Sequence, residues 1–116
     1  MLLDTDKNRI AHMLRATEQM LEYSSACTQE DAECQPPLQH LFLRNFEILG
    51  EAASRISPEL RKAHPEIPWR DIIDMRNRLI HAYFDIDMNI VWKTIQDALP
   101  ETLEKLKAIR DSDGTV

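Results

Sequence analysis

The stretch Trp69-Arg70-Asp71-Ile72-Ile73-Asp74-Met75-Arg76-Asn77-Arg78-Leu79-Ile80-His81-Ala82-Tyr83-Phe84 decides how this chain folds. Ile72, Met75, Leu79, Ala82 and Ile86 recur at spacings of three, four, three and four residues. That is the seam of a helix packed on a core. A second apolar group, Ile73, Ile80 and Phe84, lies off that seam with Asn77 among it. The helix therefore has two sides to cover. Two arrangements do so: a homodimer interface built on Ile73, Ile80 and Phe84, or a central helix touched by two neighbours in one monomer.

Helical periodicity continues on either side. Upstream, His64-Pro65-Glu66-Ile67-Pro68 is an extended linker, because residues before proline avoid the α region. Ser57-Pro58 reads as an N-cap and first turn, opening a short helix. Residues 38–56 carry a broad apolar face of Leu41, Phe42, Ile48, Leu49, Ala52, Ala53 and Ile56, and Gly50 lets another helix come close. Residues 27–37 are polar, end in Pro36-Pro37 and read as a loop or frayed helix end. Residues 7–25 form a first helix on Ile10, Met13, Leu14, Thr17, Met20 and Leu21, with Asp4 or Asp6 as its cap. Downstream, Asp85 or Asp87 caps a helix from Met88 to about Ala98, and Pro100 kinks or restarts it as far as Arg110. The expected fold is one all-α domain over residues 1–116, an antiparallel bundle of four main helices plus a short extra one. Its core spans about residues 5–110 and its tail, 111–116, frays.

Composition agrees and removes several function classes. Glycine occurs only at Gly50 and Gly114, so no glycine-rich phosphate loop fits. No apolar run approaches the roughly 20 residues of a membrane span. The start, Met1 to Ile10, lacks the basic and apolar regions of a signal peptide. A cytoplasmic protein is expected, with Cys27 and Cys34 as reduced thiols. The net charge of −6 argues against indiscriminate nucleic-acid binding. The charge is unevenly spread: residues 55–81 sum to +2 and the remainder to −8. Arg70 and Arg78 are candidate RNA-backbone contacts within the positive segment, or else solvated helix surface with pairs such as Asp74 and Arg78.

Arg76, Asn77, His81 and Tyr83 share the arc away from the seam. Arg76 and Tyr83 are two turns apart, and Asn77 and His81 one turn. A histidine can give or take a proton near neutral pH. An arginine holds a phosphate oxygen with two hydrogen bonds and stabilises charge developing on it. Metal-free RNA cleavage needs both: a 2′-hydroxyl that loses its proton, and a neutralised phosphorane. The bland reading is that His81 edges a packed face and Tyr83 is a half-buried anchor. His12, His40 and His64 share no ligand spacing and read as surface or structural, and Trp69 and Trp92 as core anchors.

Arg76-Asn77-Arg78-Leu79-Ile80-His81-Ala82-Tyr83 resembles the R-N-x-x-x-H-x-Y signature of HEPN-superfamily toxins of the HepT type. The resemblance extends to Ile48-Leu49-Gly50-Glu51-Ala52, Ile67-Pro68-Trp69, Phe84-Asp85-Ile86-Asp87 and Val91-Trp92, over about residues 5–110. It implies a small all-helical homodimer, the toxin of a toxin–antitoxin pair, type VII-like. The implied activity is that of a metal-independent endoribonuclease with no cofactor. Arg76 and His81 would be its catalytic pair and Asn77 an orienting residue, in a cleft at the dimer interface. The implied partner is similar to the nucleotidyltransferase antitoxin MntA, which would transfer AMP from ATP to Tyr83. Phosphates added there would fill the cleft and repel the RNA substrate, a tRNA or mRNA. The alternative is a non-catalytic helical dimer that binds or scaffolds a nucleotidyltransferase.

Overall fold

Gly50 fixes how closely two helices of the bundle approach. It sits on α3 (Pro36–Ser54), facing α5 (Trp69–His81). A Cβ placed on Gly50 would overlap Arg76 Cβ and stand 3.0 Å from its Cγ. Only glycine lets α5 lie this close to α3, and the contact falls at Arg76 itself. The computed structural model describes residues 2–81 and 86–113, with His81 and Asp113 described by backbone alone. All secondary structure among these residues is helical, in seven helices.

The other five are α1 (Asp4–Ser25), α2 (Gln29–Cys34), α4 (Pro58–Ala63), α6 (Met88–Asp97) and α7 (Leu99–Asp113). The protein is all-α, as its periodicity predicts. α3 is central, with α1 on one side and α5 on another; α7 packs on α1, and α2 and α6 complete the bundle. The core joins Ile10, Met13 and Met20 of α1 to Phe42, Phe46 and Leu49 of α3, and to Ile95 and Leu106 beyond. Trp92 packs edge-on against Phe42, with ring centroids 6.1 Å apart. No helix among the described residues is long and apolar enough to cross a membrane.

Several details differ from the sequence expectation. The polar segment after Cys27 contains α2, held by a capping box: Asp31 N–H donates to Thr28 Oγ1 and Thr28 N–H to Asp31 Oδ2. Ala32, fully buried, anchors this turn and a half of helix to the core. Pro36-Pro37 does not end a loop but opens α3, where a missing N–H costs nothing. Asp6 does not cap α1. It is 3% exposed and accepts from Ser57 N–H (3.0 Å) and Ser57 Oγ–H (2.6 Å), tying the start of α1 to the start of α4. Ser57 Oγ in turn accepts from Leu60 N–H, the cap expected of it. Asp87 caps α6 through Asn89 N–H. The chain breaks at Ala98 and restarts as α7, with Pro100 in its first turn. α7 stays helical to Asp113, further than the frayed tail expected from residue 111.

α5 is anchored at its start. Ile67 and Trp69 are buried, and the Trp69 indole donates to the His64 carbonyl at 2.9 Å. Ile72 and Met75 are buried on the seam, while Leu79 and Ile86 are half-buried. On the second side Ile73 is half-buried against the core, but Ile80 is 48% exposed. No second helix of the described chain closes over Ile80. Ala82, Tyr83 and Phe84 lie outside the described residues.

Candidate functional site

The site is organised around Arg76. Gly50 seats its aliphatic stem against α3, and the next residue, Glu51, reaches its head. Arg76 Nη1 donates to Glu51 Oε2 at 2.6 Å. Arg76 Nε and Nη2 both donate to Asn77 Oδ1, at 3.1 and 2.9 Å. A guanidinium has five N–H donors. Three are engaged by these contacts, which leaves one on each terminal nitrogen. Two N–H groups in one plane match two oxygens of a phosphate. The side chain is 18% exposed, so its stem is buried and its head reaches the surface.

Glu51 is shared. Arg55 Nε donates to its other oxygen at 2.7 Å, so the carboxylate bridges Arg55 and Arg76. The hydrogen bond and charge of Arg55, aided by Arg76, hold its carboxyl below the ordinary value. Glu51 thus stays ionised well below neutral pH and keeps Arg76 oriented.

Arg76 opens onto a groove of ≈ 560 Å³ between α1, α3 and α5. Arg9, His12 and Arg15 line it from α1, Arg44 from α3, and Arg76 and Ile80 from α5. Ala16, Ile48 and Ala52 also line it. Arg44 pairs loosely with Glu47 at 3.4 Å, both well exposed. Arg9 and Arg15 have no ion-pair partner among the described residues. The lining carries four arginines against Glu47 and Glu51.

The remaining predicted site residues are placed as follows. His81 ends the described part of α5, one turn beyond Asn77 on the same face and five residues from Arg76. Five residues correspond to about 7.5 Å of helix rise. Its side chain, Tyr83 and Phe84 lie outside the described residues. Arg70 is exposed on the first turn of α5. Arg78 lines a small pocket with Met75, Leu79, Ile86 and Asp87, round the helix from Arg76. Neither Arg70 nor Arg78 lines the groove. Sequence reading missed three features. Glu51 as a partner of Arg76 is a tertiary contact. The cations of α1 were hidden in the acidic remainder of the chain, although Arg9, His12 and Arg15 follow a three-residue spacing. His12, read as surface or structural, is exposed but faces the groove.

A family model described as ribonuclease HepT-like matches residues 13–109. The chain belongs to the HepT-like ribonuclease family. The HepT-like chain is 36% identical over 104 residues to a protein of Thermococcus cleftensis named "Probable ribonuclease HepT", covering 90% of this chain and 94% of that one. It is 35% identical over 107 residues to a candidate RNase of Caldanaerobacter subterraneus subsp. tengcongensis, covering 92% and 96%. A third relative, from Methanocaldococcus jannaschii and also named as a candidate RNase, is 26% identical over 97 residues. No solved structure gives a match. The HepT-like match spans α3, α5 and the contact between Gly50 and Arg76. A ribonuclease designation is what these relatives' names share.

Proposed function

We propose that this HepT-like protein is a metal-independent endoribonuclease that works as a homodimer and serves as the toxin of a toxin–antitoxin pair in the cytoplasm. One observation carries the reading. Arg76 is held by Glu51 and Asn77 with two N–H groups left over, in the lining of an open groove that carries four arginines. A cation fixed this way needs no reorganisation to stabilise a pentacovalent phosphate.

In the proposed reaction a His81 imidazole takes the proton of an RNA 2′-hydroxyl. The oxygen attacks the adjacent phosphorus, Arg76 binds the non-bridging oxygens, and the bond to the 5′-oxygen breaks. That oxygen leaves with a proton from a second imidazole. The products are a 2′,3′-cyclic phosphate and a 5′-hydroxyl. Two protomers supply the two histidines, one as base and one as acid. The exposed Ile80 supports a self-interface on this side of α5; Ile73 and Phe84, grouped with it by sequence spacing, would join it. Asn77 orients Arg76, and Arg70 and Arg78 contact the RNA backbone outside the groove.

Restraint comes from an MntA-type nucleotidyltransferase. The Tyr83 hydroxyl attacks the α-phosphorus of ATP, pyrophosphate leaves, and AMP remains on the ring. Expression without the partner tests the scheme. It should arrest growth, and Arg76→Ala should relieve the arrest. Co-expression with the partner should add the mass of AMP to the protein, and Tyr83→Phe should abolish that addition. A scaffold for the nucleotidyltransferase would cause no arrest, with or without Arg76.

A further inference from the structure

The groove is longer than catalysis at one phosphate requires. Arg76 and Ile80 occupy its α5 edge, while α1 contributes Arg9, His12 and Arg15 on one face. At about 1.5 Å of rise per residue, Arg9 to Arg15 spans about 9 Å. That is the axial length of two to three phosphates in a stacked strand at about 3.4 Å each.

Arg9 is half-buried, His12 and Arg15 are exposed, and neither arginine has an ion-pair partner among the described residues. Of the five arginines without an ion-pair partner among the described residues, Arg9, Arg15, Arg61, Arg70 and Arg78, only Arg9 and Arg15 line the groove. Unpaired cations that share a groove with Arg76 suit a polyanion that runs along it. A compact anion would engage one end only.

We propose that the α1 face of Arg9, His12 and Arg15 is a second RNA-binding element, holding the sugar–phosphate backbone that flanks the scissile phosphate at Arg76. This rests on the ribonuclease reading. The flanking strand lies along α1, and its phosphates accept from the two guanidinium groups and the His12 ring N–H. Such contacts carry no base information and fix register. They would place the scissile phosphate at the two free N–H groups of Arg76.

The test uses the full chain and a short single-stranded oligoribonucleotide with methylated 2′-hydroxyls, which cannot be cleaved by attack of that oxygen. Its binding is measured by fluorescence anisotropy over a range of salt concentrations. The double variant Arg9→Gln, Arg15→Gln should bind about tenfold more weakly. The slope of log K against log salt should fall by about 1.4, or about 0.7 for each lost phosphate contact on a single strand. On cleavable RNA the loss should appear in KM and not in kcat. The variant Lys107→Gln, Arg110→Gln makes the same change in net charge on α7, outside the groove, and should leave the slope unchanged. Equal slopes for wild type and the α1 variant would overturn the proposal. So would a change of oligomeric state in sedimentation, which would make the face a contact between copies. If the wild type binds the oligonucleotide through Arg9 and Arg15 but cleaves no RNA, the ribonuclease reading fails and the groove stands. If it cleaves RNA with a KM indifferent to Arg9 and Arg15, the groove fails alone.

Discussion

At the scale of single residues, the site depends on how Arg76 is held. Its bonds to Glu51 and Asn77 determine which N–H groups remain for substrate. Arg76→Lys keeps a charge but loses the fork, so kcat should fall by about 10²- to 10³-fold with little change in folding. Asn77→Ala and Glu51→Gln should cost less, about tenfold each, because they loosen Arg76 without removing it. Steady-state cleavage of a labelled RNA measures all three. Glu51 also carries a pH signature. Its carboxyl lies below the ordinary value of 4.5, held there by Arg55 first and Arg76 with it. A group with a lowered folded pKa adds stability that is full above its unfolded pKa and is lost as pH falls through the folded one. The stability difference between wild type and Glu51→Gln should therefore be flat from about pH 6 to 8 and close only in acid below 4.5. A difference that varies near neutral pH would place the coupling on another group. Arg76, Asn77 and His81 were legible as a pattern on one helix. Glu51 was not, because its tie to Arg76 spans 25 residues and depends on the close approach at Gly50.

At the scale of elements, two junctions carry testable consequences. Gly50→Ala would drive a methyl into the stem of Arg76. Overpacking costs about 1–3 kcal/mol, and the helix propensity of alanine returns up to about 1 kcal/mol. A net loss of about 1–2 kcal/mol should appear in thermal unfolding, with kcat reduced even where the protein is folded, because Arg76 shifts from Glu51. Asp6→Ala strands the Ser57 N–H in a part-buried site. It should destabilise by about 1–3 kcal/mol, read as a lower urea midpoint at constant slope. The helices with strong apolar stripes, α1, α3 and α5, were legible from periodicity, and so was the restart at Pro100. α2 was not. It has one fully buried residue, Ala32, and six residues are too few for a stripe, although its Thr28 and Asp31 capping pair stood in the sequence. Asp6 looked like a cap because it sits in a first turn. Its real partner lies 51 residues away and is set by packing.

At the scale of the whole molecule, charge and the open face of α5 matter together. Counting charge along the chain located a positive segment at residues 55–81. Folding adds Arg9, Arg15 and Arg44 to Arg76 from segments that are acidic in sum. In the proposed ribonuclease the acidic remainder would suppress indiscriminate RNA binding, while the groove would keep a local attraction. Ile80 leaves an apolar point beside that groove, so dimer formation and catalysis should fail together. Ile80→Glu should shift the protein to monomer in sedimentation and lower cleavage at least 10²-fold, in line with a site shared between protomers. The central claim is that RNA is cut by an arginine and a histidine of this chain without a metal. The direct measurement is cleavage of total RNA by the purified protein in excess EDTA, beside Arg76→Ala and His81→Ala. Cleavage should be undiminished with chelator and absent in either variant. Cleavage that vanishes on chelation, or survives in His81→Ala, would contradict that claim.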